Sequence, residues 1–150
     1  MKRILIICTN IIEKNGKILL VKETGNYKAG TYSLPGGKLN PHESIVQGAI
    51  REAKEETGLN IKPEKFIGIY QLPTSKKGDN LTVFVFKSRI MSGKLRTCEE
   101  HPEVRFFSYN EIKKLARRKL LRTPSIMIAL EDAKKRKPLE LTALRRLYAE

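Results

Sequence analysis

The sequence has 150 residues, of which 40% are hydrophobic and 31% are charged. A chain of this size and composition is typical of one soluble globular domain and excludes a largely disordered protein. Thirty Lys and Arg against sixteen Asp and Glu give a formal net charge of +14. Such an excess indicates nucleic acid, a polyphosphate substrate or only a well-solvated basic surface.

Membrane insertion and a disulfide framework are both disfavoured. No segment approaches the roughly 20 consecutive apolar residues that span a bilayer. Cys8 and Cys98 lie far apart and have neither C-x-x-C nor Cys/His ligand spacing. We interpret them as inert thiols of a cytoplasmic protein.

The chain opens with two β-rich runs, residues 4–12 and 17–22. Asn15 and Gly16 lie between them, and Asn-Gly between apolar runs is the strongest short hairpin signal. Residues 24–31 are polar and contain glycine, which favours a loop. We therefore predict a β-hairpin followed by a loop.

The stretch from Gly36 to Leu59 predicts a glycine loop, a helix and a glycine stop. Ser44 and Gln47 form a capping-box pattern, so the helix is expected to begin there. Gly58 supplies the left-handed residue that ends it. Five residues recur at helical spacing and predict a buried stripe: Val46, Ala49, Ile50, Ala53 and Thr57.

Three glutamates of this helix, Glu52, Glu55 and Glu56, project within an arc of about 100° beside the apolar stripe. Carboxylates this close repel one another, and Arg51 and Lys54 relieve the repulsion only partly. The pattern is found in solvated acidic faces and also in helices that bind a divalent cation. Fully charged oxygen ligands suit Mg²⁺ or Mn²⁺ rather than zinc.

The remainder of the chain predicts further strands and three helices. Residues 60–62 and 65–72 have strand composition and are broken by Pro63 and Pro73. A basic pair of amphipathic helices, 126–135 and 139–148, is expected to pack on the domain or to hold nucleic acid or a partner subunit. Five elements are predicted between the strand run at 65–72 and the first of these helices. They are a polar loop at 74–80, a central strand at 81–91, an acidic loop at 94–102, a strand at 104–107 and a helix from Ser108 to about Arg117.

Seven fixed identities connect the glycine loop to the acidic helix: Gly37, Glu43, Arg51, Glu52, Glu55, Glu56 and Gly58, followed by the aliphatic Leu59. This pattern resembles the signature box of the Nudix hydrolases at every fixed position. The aromatic and Leu-Pro-Gly-Gly before the box also resemble the family. The likeness covers roughly residues 4–118.

The resemblance implies an α+β fold, an α/β/α sandwich around a mixed β-sheet. The chain itself, without repeats or a linker, predicts one domain over residues 1–150, with a core at about 4–118 that carries the resemblance and a basic helical extension at 119–150. The resemblance also implies hydrolysis of a diphosphate linked to another moiety, with Mg²⁺ or Mn²⁺ as the cofactor. The substrate would be a nucleoside di- or triphosphate, or a nucleotide-sugar such as ADP-ribose.

By resemblance, Glu52, Glu55 and Glu56 bind metal, and the carbonyl of Gly37 completes the shell. Arg51 and Glu43 would not bind the metal themselves but would hold these ligands in their orientation. The general base is either a box glutamate or an acid of the later loop, namely Glu99, Glu100 or Glu103, among which Glu100 is preferred. His42 and His101 stand beside prolines in polar loops, and we expect both to face solvent.

Two alternatives to a small-nucleotide hydrolase stay open. One is hydrolysis at an RNA 5′ end, with the basic C-terminal segment on the RNA backbone. The other is a binding module that has the fold and the acidic set but performs no hydrolysis. A homodimer is a further expectation, and it rests on analogy with the family alone.

Overall fold

A computed structural model describes residues 3–25, 28–73 and 79–144 of the chain. Eight strands and three α-helices form along these residues, with a 3₁₀ turn at Leu141–Ala143. The strands are β1 (Ile4–Lys14), β2 (Lys17–Lys22), β3 (Tyr32–Ser33), β4 (Gly36–Lys38), β5 (Leu59–Pro73), β6 (Asn80–Gly93), β7 (Val104–Ser108) and β8 (Leu139–Glu140). The helices are α1 (Ile45–Thr57), α2 (Tyr109–Arg117) and α3 (Ser125–Lys135).

The β1–β2 hairpin turns at Asn15 and Gly16, whose φ angles are 50° and 71°. Two consecutive positive φ angles are typical of the type I′ turn, which matches the twist of the flanking strands. Lys14 pairs directly with Lys17 across the turn. The predicted hairpin is confirmed.

Strand β1 lies inside a mixed sheet. It runs parallel to β6 and antiparallel to β2 and β4. The strand order is β3-β2-β1-β6-β5-β8, while β4 pairs with β1 and β7 pairs with β2. The strand predicted at 81–91 is β6, and it lies between β1 and β5 as expected of a central strand.

Helices cover both faces of this sheet. Cys8 and Ile12 of β1 pack with Ala49 and Ala53 of α1. Ile11 points to the opposite face, because successive side chains alternate along a strand, and it packs with residues of α2 and α3. The predicted α+β class and the α/β/α sandwich are therefore confirmed.

Strand β5 is continuous, so the predicted break at Pro63 is wrong. Pro63 pairs with Ser88 of β6, and a register shift follows between Pro63 and Lys65. Within the described residues, the other side of β5 pairs with β8 only at Lys65 and Phe66. Pro63 therefore lies at a bulge, one of the positions where a sheet tolerates proline.

The C-terminal helices were predicted half correctly. Helix α3 matches the segment predicted at 126–135, but residues 139–143 form β8 and a 3₁₀ turn. Leu139 pairs with Phe66 at the edge of β5, so long-range pairing overrides a locally helical pattern. The rest of that predicted helix, 145–148, and residues 74–78 of the predicted loop lie outside the described residues.

Helices α2 and α3 close the second face of the sheet. A capping box between Ser108 and Glu111 begins α2, as predicted. Ile126 and Ala129 of α3 belong to the same buried cluster as Phe107 of β7. Among the helices of the described part of the chain, none has the length and apolar character needed to cross a membrane.

Candidate functional site

Helix α1 carries the acidic residues, and its two ends are fixed as predicted. The hydroxyl of Ser44 accepts a bond from the backbone N–H of Gln47, and the side chain of Gln47 accepts one from the N–H of Ser44. Gly58 ends the helix with a φ of 79°. The helix therefore begins and ends at defined residues, which fixes the direction of every side chain between them.

One face of α1 lies against the sheet. Ala49, Ala53 and Thr57 are fully buried, and Val46 is half-buried, as predicted. Ile50 is 38% exposed, so its predicted burial is wrong. It lies about 100° around the helix from Ala49 and falls off the edge of the contact.

Strand β4 brings two glycines into close contact with their neighbours. A Cβ on Gly36 would lie 2.6 Å from the Cα of Thr9 and 2.4 Å from the backbone oxygen of Cys8. A Cβ on Gly37 would lie 2.4 Å from the carboxyl carbon of Glu52. Only glycine permits both approaches. The backbone of β4 is thus in contact with a predicted metal ligand.

Asn10 joins β1 to α1, to β6 and to the residue just before β4, and no local sequence pattern predicted these contacts. Its side-chain amide donates to the carbonyl of Ala49 at 2.9 Å and accepts from the hydroxyl of Ser88 at 2.8 Å. Its backbone N–H donates to the carbonyl of Pro35 at 2.9 Å. Because Asn10 is fully buried, each of these bonds satisfies a group that has no access to water.

Arg51 holds the predicted acidic partners together. Its guanidinium donates to both oxygens of Glu43, at 2.7 and 3.0 Å, and to Glu52 at 2.7 Å and Glu55 at 3.0 Å. It also donates to the carbonyl of Lys38 at 2.9 Å. The hydrogen bonds with Glu43 are the main cause that raises the pKa of Arg51 and lowers the pKa of Glu43. All five N–H groups of the guanidinium are therefore used.

Glu56 has different partners from the other box glutamates. One carboxylate oxygen lies 3.1 Å from Nε2 of His101, and the other accepts the N–H of Gly36 at 2.9 Å. Nδ1 of His101 lies 3.1 Å from the carbonyl oxygen of Lys22. Both neighbours of the imidazole are acceptors, so both ring nitrogens carry hydrogen.

The electrostatics of this pair follow from burial and contact together. Burial disfavours the charged imidazole, but the hydrogen bond and charge of Glu56 outweigh it and raise the pKa of His101 to about 9. Burial is also the main cause that raises the pKa of Glu56, against the opposing effects of His101 and the N–H of Gly36.

The prediction that His101 faces solvent is wrong. The residue is only 5% exposed, whereas His42 is exposed as predicted. The prediction of a loop at 94–102 was correct, but the loop folds back onto the last turn of α1. No local pattern encodes a contact between residues so far apart in sequence, so the sequence did not predict this one.

The three acids of that loop have different surroundings. Glu100 lines a cavity beside α1, while Glu99 is exposed. Glu103 accepts bonds from the hydroxyl of Tyr32 at 2.9 Å and from Arg105 at 3.0 Å, which gives it a role within the fold. The preference for Glu100 as the base remains a prediction, and its place at the cavity agrees with it.

The cavity has a volume of about 570 Å³, within the range of about 300–1,000 Å³ that is usual for small-molecule sites. Glu52 and Glu56 both line it, together with the glycines of β4. Glu55 does not, since its side chain is 58% exposed and bound to Arg51. Apolar side chains from β5, β6 and α3 complete the wall, among them Leu72, Val83 and Ile126.

The carboxylates of Glu52 and Glu56 meet at this cavity beside the backbone of β4. Mg²⁺ commonly binds through one or two carboxylates and keeps several waters, so the donor set fits such a cation. In the part of the chain that the structure describes, no three His, Cys, Asp or Glu side chains are grouped as a metal centre. Arg51 and His101 hold the carboxylates instead.

The fold and the acidic helix together define the class of protein. A family model described as the NUDIX domain matches residues 1–126. The match covers more than half of the chain, and the chain therefore belongs to the NUDIX family. The resemblance inferred from the signature box is confirmed.

Two curated relatives illustrate the likeness. An ADP-ribose pyrophosphatase of Methanocaldococcus jannaschii is 37% identical over 106 residues, which cover 71% of this chain and 63% of that protein. An 8-oxo-dGDP phosphatase of Homo sapiens is 33% identical over 89 residues, which cover 59% of this chain and 26% of that protein. The chain thus spans less than two thirds of the length of either relative.

Solved structures agree along nearly the whole chain. A NUDIX hydrolase from Nitrosomonas europaea superposes with a TM-score of 0.86 at 30% identity, covering 98% of both chains. A MutT NUDIX hydrolase from Burkholderia pseudomallei gives a TM-score of 0.76 at 26% identity, covering 87% of this chain and 98% of that one.

Proposed function

We propose that this chain is a divalent-cation-dependent pyrophosphohydrolase that cleaves the diphosphate linkage of a nucleotide. The observation that carries the proposal is the meeting of Glu52 and Glu56 with the glycines of β4 at one apolar-walled cavity. A polyanion needs cations beside it before water attacks, and carboxylates at a cavity of nucleotide size are suited to hold them.

Glu52 and Glu56 are the proposed carboxylate ligands, and Glu55 and the carbonyl of Gly37 are further ligands by their place in the signature. A bound Mg²⁺ or Mn²⁺ would neutralise phosphate charge and lower the pKa of water. Arg51 fixes the direction of the Glu52 carboxylate through a 2.7 Å bond. Outer contacts of this kind are typical supports of metal sites.

The loop and the apolar wall have separate proposed roles. Glu100 is the proposed general base, because it is the loop acid that lines the cavity. Leu72, Val83 and Ile126 offer an apolar surface for a nucleobase. Arg122 also lines the cavity, where its guanidinium is paired with Glu23 at 2.7 Å.

The proposed substrate class is a nucleoside 5′-diphosphate derivative. The relatives are named for ADP-ribose and 8-oxo-dGDP, and both molecules contain a nucleoside joined to a diphosphate. Nucleoside triphosphates contain the same unit and remain within the class. An RNA 5′ end, a non-catalytic role and a homodimer stay predictions, which net charge or family analogy alone supports.

Product release from a panel of nucleotides, with Mg²⁺ and with EDTA, tests this function. The panel holds ADP-ribose, 8-oxo-dGDP, canonical and oxidised triphosphates, dinucleoside polyphosphates and 5′-triphosphorylated RNA. We expect metal-dependent turnover of a nucleoside diphosphate derivative, reduced by orders of magnitude in Glu52→Gln and Glu56→Gln. Glu64→Gln, which changes an exposed carboxylate paired with Arg89, is the matched control. Full activity in both box variants would refute the site.

A further inference from the structure

His101 occupies an unusual place for a loop histidine. It follows a run of exposed residues, 94–100, yet its own side chain is buried between the end of α1 and the end of β2. Both of its ring nitrogens are engaged at 3.1 Å, one with Glu56 and one with the carbonyl of Lys22. A single side chain therefore joins three parts of the fold.

Glu56 depends on this contact for its direction. The carboxylate has one donor on each oxygen, His101 on one and the N–H of Gly36 on the other. Arg51 binds the other three box glutamates, Glu43, Glu52 and Glu55, and none of its five N–H groups donates to Glu56. The carboxylates of the acidic helix are thus held by two different side chains, Arg51 and His101. His101 holds the most buried of them, that of Glu56.

The same residue closes the turn that presents Glu100. The backbone N–H of Cys98 donates to the carbonyl of His101, and the N–H of His101 donates back to Cys98, both at 3.1 Å. The hydroxyl of Thr24 donates to the carbonyl of Glu100 at 2.8 Å. The tip of the turn is therefore placed from one side by Thr24 and from the other by the buried His101.

We propose that His101 is a positioning residue that couples the acidic loop to the metal-binding helix. It sets the direction of the Glu56 carboxylate and, through the turn that it closes, the place of Glu100 at the cavity. The inference rests on the proposed function for the roles of Glu56 and Glu100. The coupling itself rests on contacts between residues of this chain.

Two substitutions separate the two ring nitrogens. The amide nitrogen of Gln reaches about as far as Nε2 of His, so His101→Gln keeps a donor toward Glu56. The amide nitrogen of Asn matches Nδ1, so His101→Asn keeps only the donor toward Lys22. His42→Asn is the matched control, because it makes the same change at the exposed histidine.

The first measurement is Mn²⁺ affinity of the free protein by calorimetry, which needs no turnover. We expect His101→Asn to weaken binding about 10- to 100-fold, the range usual for outer supports of a metal site. His101→Gln should retain most of the affinity, and His42→Asn should match the wild type. With substrate, kcat should fall in His101→Asn while KM changes little, because the cavity wall is intact.

The second measurement is the rate of tryptic cleavage after Lys94 and Arg96, followed by mass spectrometry. His101→Asn should speed cleavage there, because the turn loses an anchor. Glu56→Gln should do the same, because a charge-assisted hydrogen bond becomes a neutral one. Glu56→Gln therefore tests the coupling between the helix and the loop even if His101→Asn does not fold.

Two results would overturn the inference. One is unchanged Mn²⁺ affinity in folded His101→Asn, which would leave His101 as a staple of the loop only. The other is an equal loss of Mn²⁺ affinity in His101→Asn and His101→Gln that simply follows the loss of stability in each variant. Failure of the proposed function is distinguishable, since a wild type without turnover still reports Mn²⁺ affinity and loop cleavage.

Discussion

Gly37→Ala separates the fold of this protein from its proposed metal site. A Cβ at residue 37 would lie 2.4 Å from the carboxyl carbon of Glu52, while ordinary contact begins at 3.4 Å. The carboxylate must therefore retreat by about 1 Å, several times the roughly 0.2 Å tolerance of a metal–ligand distance. A displacement of that size at a reacting centre costs on the order of 10²-fold in rate.

The stability cost should be small, because the group that must move is the end of a flexible side chain. The φ angle of Gly37 is not in the left-handed region, so alanine can adopt its backbone conformation. We expect the free energy of unfolding to change by about 1 kcal/mol, because only a side chain moves and the pairing of β4 with β1 is kept.

Gly36→Ala is the matched comparison on the neighbouring residue. Its Cβ would meet the Cα of Thr9 at 2.6 Å, and this backbone cannot withdraw without opening the contact between β1 and β4. We expect a loss of about 1–3 kcal/mol, as for other overpacked positions. Urea unfolding, Mn²⁺ calorimetry and turnover are measured on both variants. Wild-type Mn²⁺ affinity in Gly37→Ala, or equal stability of the two variants, would refute the reasoning.

Three further predictions concern the surroundings of the site. Glu43→Gln should destabilise by about 2 kcal/mol at pH 7, since it removes charge-assisted bonds to Arg51. The pKa of Glu43 is lowered in the fold, so this stabilisation is complete when the pH is above the ordinary pKa of Glu. Urea unfolding measured at a series of lower pH values should show that it is lost as the pH falls through the lowered pKa. Native protein at pH 8 should react with one equivalent of maleimide, because Cys98 is exposed whereas burial raises the pKa of Cys8 to about 12; two equivalents without urea would contradict this. Ser108→Ala should lower the unfolding free energy by about 1 kcal/mol through the lost cap of α2, with turnover unchanged.

The features that the sequence predicted best are those that depend on residues close together along the chain. The cap of α1 at Ser44, its stop at Gly58 and the hairpin at Asn15 each depend on backbone groups three or four residues away. Such bonds depend only on the local sequence, which is why sequence motifs predict them. The acidic set followed from spacing on one helix and from its resemblance to a family box.

Contacts between distant segments were not predictable in this way. The bond from His101 to Glu56, the pairing of Leu139 with Phe66 and the buried amide of Asn10 all join parts of the chain that no periodicity connects. In each case the partner lies on another element that only the assembled fold brings near, namely a carboxylate of α1, the edge of β5 or a carbonyl of α1. Local preference then yielded to tertiary structure.

Helix α3 has a consequence for how substrate preference in this protein can change. Ile126 and Ala129 belong both to the buried core and to the wall of the cavity. Enlarging either to fit a different nucleobase would also strain the core, at about 1–3 kcal/mol. Arg122 and Ser125 line the same cavity from half-buried positions outside that core. New specificities are therefore expected to evolve first at these two residues outside the core, and more readily at Ser125, because a change at Arg122 also breaks its 2.7 Å ion pair with Glu23.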